Sequence, residues 1–292
     1  MSWSLILVAA CVAIYCLGTF FLWREANGDT ITGFNNGHSR FLIPGLTALA
    51  IAVHGYLLYH SIYSQGYSQG YSQGYSQGGP NISLGQAISM AGWISAALYL
   101  CISFVKQTIN LGIIVLPLGL IAVLIGFISI DPTSTNHAFS IDQILSGMGW
   151  HLALAIPTYG ILCVAFAQAC LLIIQDRLLH KPNPGNRLPT FPAIQTMESN
   201  LFWLMLLGFL LMTVNLVIGM ASNLKKIGAL LDFNHHILFS ILAWFCFACL
   251  LSGRKIAGWR GQTAAKWTII AFGILVLAYF GTRFVNELLL SG

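Results

Sequence analysis

The chain has 292 residues, of which 57% are hydrophobic and only 7% charged, and its mean hydropathy is +0.78, whereas a soluble domain carries about 25% charged residues. Water is therefore excluded as its main solvent. Its apolar runs are about 20 residues long, enough at ~1.5 Å per residue to cross ~30 Å of hydrocarbon as helices, whereas a strand barrel would need short alternating segments.

The first run, Trp3 to Trp23, lacks a basic leading region and a small-residue cleavage site, and reads as a retained helix rather than a signal peptide. A second predicted span, 39–60, carries His54 and His60. After it, Tyr63-Ser-Gln-Gly repeats four times to Gly78; this Gly/Ser/Gln tract cannot bury a core and is expected to be a flexible loop over 63–79. The remaining spans are predicted at 83–104, 110–130, 147–174, 199–221, 235–252 and 266–289. Pro157 removes a backbone donor inside the fifth, which is expected to kink there. All seven cysteines fall inside predicted spans, where thiols pack as small hydrophobes.

The expected fold is therefore all-α: one integral membrane domain over 1–292, with eight transmembrane helices and both termini on one side. Lys and Arg give the orientation. Arg24, Arg40, Lys106, Arg177, Lys181, Arg187, Arg254, Lys255, Arg260 and Lys266 lie on one side, against Lys225, Lys226 and Arg283 on the other. The ten-residue side is read as cytoplasmic, so both termini face outward, to the periplasm. This asymmetry accounts for the formal charge of +5 without nucleic acid as a partner.

The eight histidines sort unequally across that orientation. His38 and His180 fall on the cytoplasmic side; His54, His60, His137, His151, His235 and His236 fall in the outer half of the membrane or the outer loops. An ionisable residue inside a span is costly and defaults to a functional hypothesis, and imidazole ligates iron, zinc and copper. Six on one side point to a metal or heme site there. His54 and His60 are separated by about 600° of helical rotation and His235 and His236 by about 100°, so neither pair shares one iron. Axial ligation of heme takes ligands from different elements. The candidate ligands are thus His54, His151 and His235, paired as His54 with His151 or His151 with His235; His137 and His236 are weaker ones.

Other groupings carry less. Cys246-Phe-Ala-Cys249 lies mid-span without a following histidine, unlike a covalent heme site. Arg283 and Glu287 are one turn apart and are expected to pair locally. The Gly258-Trp-Arg-Gly261 loop, with Arg254, Lys255 and Lys266 nearby, reads as an orientation signal, or else as a dock for anionic lipid heads or heme propionates. No Ser-His-Asp set, phosphate loop or paired intramembrane carboxylates stand in the sequence, which points away from an enzyme.

From Ser240 to Leu290 the chain reads SILAWFCFACLLSGRKIAGWRGQTAAKWTIIAFGILVLAYFGTRFVNELLL. It resembles the CcsA-like cytochrome c assembly superfamily of membrane heme handlers, in its HemX/YpjD-type branch. The matching pieces are Ser240 to Trp244, Gly258 to Gly261, and Ala278-Tyr-Phe-Gly281 with Arg283-Phe-Val. Trp150-His151 leading to Tyr159-Gly160, Met197-Glu198 before helix 6, His54 and His235 are also similar to the branch. Where the branch carries a His-Lys pair before helix 7, this chain has His236 at the Lys position. The resemblance implies a multi-pass protein of the bacterial inner membrane that binds heme non-covalently or regulates its supply, with cytochrome c maturation or heme-biosynthesis proteins as partners. The external tryptophan-rich segment of the heme-presenting members is missing, so an accessory or regulatory role is implied rather than direct delivery. On the residues alone, a small-solute or metal-ion transport component and a structural partner docking through Lys181 to Arg187 stay open.

Overall fold

In hydrocarbon every backbone N–H and C=O must be satisfied within its own segment, so long apolar runs become helices. The computed structural model describes residues 2–26, 39–72, 84–105, 109–128, 147–180, 192–227 and 235–284. Among them stand eight α-helices and no strand: α1 (Ser2–Ala26), α2 (Ser39–Ser72), α3 (Leu84–Val105), α4 (Gly112–Ile128), α5 (Gly147–Leu179), α6 (Ile194–Ile227), α7 (His235–Ile256) and α8 (Gly261–Phe284), with a 3-10 turn at Ile109–Leu111. Seven are long and apolar enough to cross a membrane. The eighth, α4, has 17 residues, the lower end of the spanning range.

Three boundaries in particular depart from expectation. α2 continues to Ser72, so the repeat is helical through its first ten residues, and only the part from 73 lies outside the described residues. A four-residue repeat is close to the helical period of about 3.6 residues, a spacing that composition alone does not reveal. α6 and α8 begin at Ile194 and Gly261, earlier than their hydropathy indicates, because their first turns are polar and lie beyond the apolar stretch.

The chain divides into two compact units, Met1–Leu145 with Leu179–Pro192, and Ser146–Leu178 with Ala193–Gly292. In the first, Gly112, Gly119 and Gly126 of α4 are seven apart and share a face. A methyl at Gly112 would meet the Tyr99 phenol and stand 2.6 Å from Leu22 Cδ1; one at Gly119 would lie 3.1 Å from Tyr15, and one at Gly126 2.6 Å from Ser89 Cβ. Small residues let backbones approach where the lipid supplies no hydrophobic drive of its own. Gly112→Val is therefore expected to overpack this unit by about 1–3 kcal/mol or more. Thermal melting in detergent checks it against Gly45→Ala, which meets nothing within 4 Å and should not lower the midpoint.

In the second unit α5 is central: 67% of its membrane-crossing stretch is buried, against a third or less for every other span. Phe166 of α5 stacks on Phe272 of α8 at 5.1 Å, and Tyr159 Oη donates to the Leu275 carbonyl at 3.3 Å. Leu162 packs directly onto Gly208 of α6. Trp244 of α7 donates from Nε1 to Thr213 Oγ1 of α6 at 2.9 Å.

Candidate functional site

His54 lies in the first unit and is 1% exposed. Its Nδ1 is 3.1 Å from Tyr15 Oη on α1, and its Nε2 is 2.9 Å from Ser89 Oγ on α3. The Tyr15 ring meets it edge-on at 6.0 Å. A neutral imidazole donates from one nitrogen and accepts at the other, and a hydroxyl satisfies either role. This three-helix node therefore leaves His54 no open lone pair in this arrangement. His60, one and two-thirds turns on, is exposed beside Tyr56; the two histidines face different ways, as their rotation requires.

His151, in the first turn of α5, is half-buried in the second unit. Its Nδ1 lies 3.2 Å from the Asn215 backbone oxygen of α6. The sequence explains this approach. In a helix the residue four positions on would cover that carbonyl with its Cβ, and here it is Gly219, where a methyl would stand 3.2 Å from His151 Nδ1 and 3.3 Å from Cε1. A carbonyl accepts only, so Nδ1 carries the proton and Nε2 holds the lone pair. Among the described residues Nε2 has no partner. The Asn215 Oδ1 is likewise buried and unpartnered among them.

His235 and His236 open α7; their side chains, like all of His137, lie outside the described residues. The helix register still places the backbone. Thr213 meets Trp244, so at ~1.5 Å per residue His235 starts ~13 Å outward of Thr213, and the level of Asn215 and Gly219 is ~3–9 Å outward. His151 and His235 thus come to the same end of this unit, His235 further out. His54 belongs to the other unit. Nothing in the sequence pattern marks Tyr15, Ser89, Asn215 or Gly219 as partners; the one available signal was a polar or small residue within an apolar helix. The Arg283–Glu287 pairing lies outside the described residues.

At the opposite end of α7, Glu198 of α6 accepts the Gly261 backbone N–H, and Asp176 of α5 accepts the Gln262 side-chain amide. The paired glycines Gly258 and Gly261 have φ of +65° and +57°, conformations open to glycine at little cost. These contacts hold the first turn of α8 against α5 and α6.

A family profile described as cytochrome C assembly protein matches residues 82–290, more than two thirds of the chain. The chain belongs to the cytochrome c assembly protein family. Among its relatives, the inner membrane protein YpjD of Escherichia coli (strain K12) is 26% identical over 213 residues, 72% of this chain and 79% of that protein. Protein HemX of Bacillus subtilis (strain 168) is 23% identical over 203 residues, 69% of this chain and 72% of that one. An uncharacterized 28.8 kDa protein of Azospirillum brasilense is 32% identical over 143 residues, 48% of this chain and 52% of its own length. The resemblance read from Ser240 to Leu290 thus holds for the family and for the HemX/YpjD-type branch. This member of the cytochrome c assembly family is a multi-pass membrane protein, and the inner-membrane location expected from its sequence agrees with the name of the E. coli relative. The family match begins at 82, so α1, α2 and His54 precede it, whereas His137, His151, His235 and His236 all fall within it.

Proposed function

We propose that this protein handles heme at the outer face of the membrane, in an accessory or regulatory role serving cytochrome c maturation or heme-biosynthesis proteins. In this reading His151 Nε2 would hold the iron together with His235, with His236 and His137 as weaker candidates. The observation that carries it is the His151 Nδ1 to Asn215 carbonyl contact at 3.2 Å. A histidine that ligates a metal nearly always gives its other N–H to a carbonyl, carboxylate or water, which fixes the tautomer and raises ligand basicity. Here that outer partner is in place, and among the described residues nothing occupies the lone pair. Heme would supply iron held between two imidazoles; the chain's residues orient the ring, and no catalytic step is asked of them.

His54 is the less favoured of the original three, because ligation there costs one of its two buried hydrogen bonds. The test is the absorbance spectrum of the detergent-purified protein, oxidised and dithionite-reduced, after expression with added heme. A Soret band with sharp reduced α and β bands is the expected result. A flat visible spectrum in protein that elutes as a single folded species rules out stable heme binding.

A further inference from the structure

The α7–α8 hairpin carries chemistry that heme at the other end of α7 does not use. Its turn is fixed. The Ala257 and Trp259 N–H groups both donate to the Gly253 carbonyl, at 2.9 and 3.2 Å. The Trp259 indole lies so close on Gly253 that a methyl there would stand 2.6 Å from Cε3. Trp259 stacks parallel to Trp267, 6.5 Å between centroids and 6° between planes.

Charge at this hairpin is arranged unusually. Glu198 and Asp176, the carboxylates that reach it, hold neutral donors, the Gly261 N–H and the Gln262 amide. Lys255, Arg260 and Lys266 are exposed, and among the described residues they have no acidic partner. Arg254, also exposed, rests its guanidinium 3.9 Å from the Phe202 ring centroid. Four cations thus stand on one hairpin around a fixed turn, and among the described residues none of them is paired with a carboxylate. Orientation in the membrane demands the charges, but it does not demand the pinned turn that carries them.

We infer that this hairpin docks the phosphate headgroup of an anionic phospholipid, with Lys255, Arg260 and Lys266 as phosphate donors and the Trp259–Trp267 pair seated at headgroup depth. Tryptophan favours that depth because its ring is apolar and its N–H is wet. Ile256 is 86% and Trp267 44% exposed beside these cations. A soluble anion would leave that apolar surface in water, whereas a lipid covers it with acyl chain while its phosphate meets the cations.

The test titrates the full-length protein in mild detergent with dioleoylphosphatidylglycerol and counts bound lipid by native mass spectrometry, with dioleoylphosphatidylcholine as reference. Lys255→Gln with Arg260→Gln is expected to weaken phosphatidylglycerol binding about 30-fold, from the attraction of two juxtamembrane cations, and to leave phosphatidylcholine unchanged. Lys181→Gln with Arg187→Gln removes the same charge from another inner loop and should change neither. Glu198→Ala separates geometry from charge: it adds one net positive charge yet frees the turn, so phosphatidylglycerol binding should fall. Tighter binding by Glu198→Ala, or an equal loss in the Lys181/Arg187 variant, would show that charge alone governs and overturn the inference. Displacement of the lipid by inorganic phosphate or by heme at similar concentration would assign the site to a soluble anion or to propionates, and overturn it too.

Discussion

His151→Ala should abolish the low-spin spectrum of the heme-loaded protein: the reduced α and β bands disappear and retained heme falls more than tenfold. The magnitude follows from what is lost. Disturbing only the outer partner of a metal-bound histidine costs about 10–100-fold in affinity, and removing the ligand itself costs more. Gly219→Ala supplies the smaller perturbation, because its methyl would stand 3.2 Å from Nδ1 and push the ring off the Asn215 carbonyl; a loss near tenfold is expected. Added imidazole should restore the bands in His151→Gly, where a free ligand can enter the space of the missing ring. An unchanged spectrum in His151→Ala would remove His151 from the ligand set, whatever the other histidines do.

The helices were legible in the sequence because one solvent property dictates them. Hydrocarbon requires about 20 apolar residues per crossing, so helices α1 to α5 and α7 begin within a few residues of the hydropathy runs. The divergence of His54 and His60 was legible too: 100° per residue over six residues turns the two to different faces. Partners were not legible. Tyr15, Ser89 and Asn215 meet their histidines across 39, 35 and 64 residues of chain, and a single sequence carries the period of each helix but not its rotation against a neighbour. Gly219 could only be recognised once the carbonyl it exposes was known to be used. The helical start of the Tyr-Ser-Gln-Gly repeat was missed because composition alone gave a loop, while the spacing of the tyrosines was close to a helical turn. The Gly258 to Gly261 loop was read as charge, and the carboxylates of Asp176 and Glu198 that shape it come from two other helices.

Replacing Tyr15 by Phe should destabilise the protein by about 1–3 kcal/mol, because His54 Nδ1 would remain buried without a partner. Hydrogen bonds in membrane bundles average only ~0.6 kcal/mol, since chains unfolded in the bilayer find other partners. The larger figure is expected here because the node is dry: His54 is 1% and Tyr15 0% exposed. His54→Ala removes both hydrogen bonds and leaves a cavity, so its cost should be larger, in the range of about 3–5 kcal/mol seen when large buried side chains are truncated. For a domain of this size that is a drop of roughly 2–4 °C in melting midpoint per kcal/mol. The triple replacement Tyr15→Phe, His54→Leu and Ser89→Ala removes every orphan at once and should recover most of the loss, since exchanging both partners for apolar groups of similar shape is nearly neutral. Melting of the heme-free protein separates the two roles open to His54. A structural tie lowers the midpoint of the apo protein in His54→Ala and is repaired in the triple variant, whereas a ligand leaves the apo midpoint unchanged and takes the heme spectrum with it. If His54→Ala melts with the wild type and loses the bands, the node of Tyr15, His54 and Ser89 is itself a heme site rather than a structural tie.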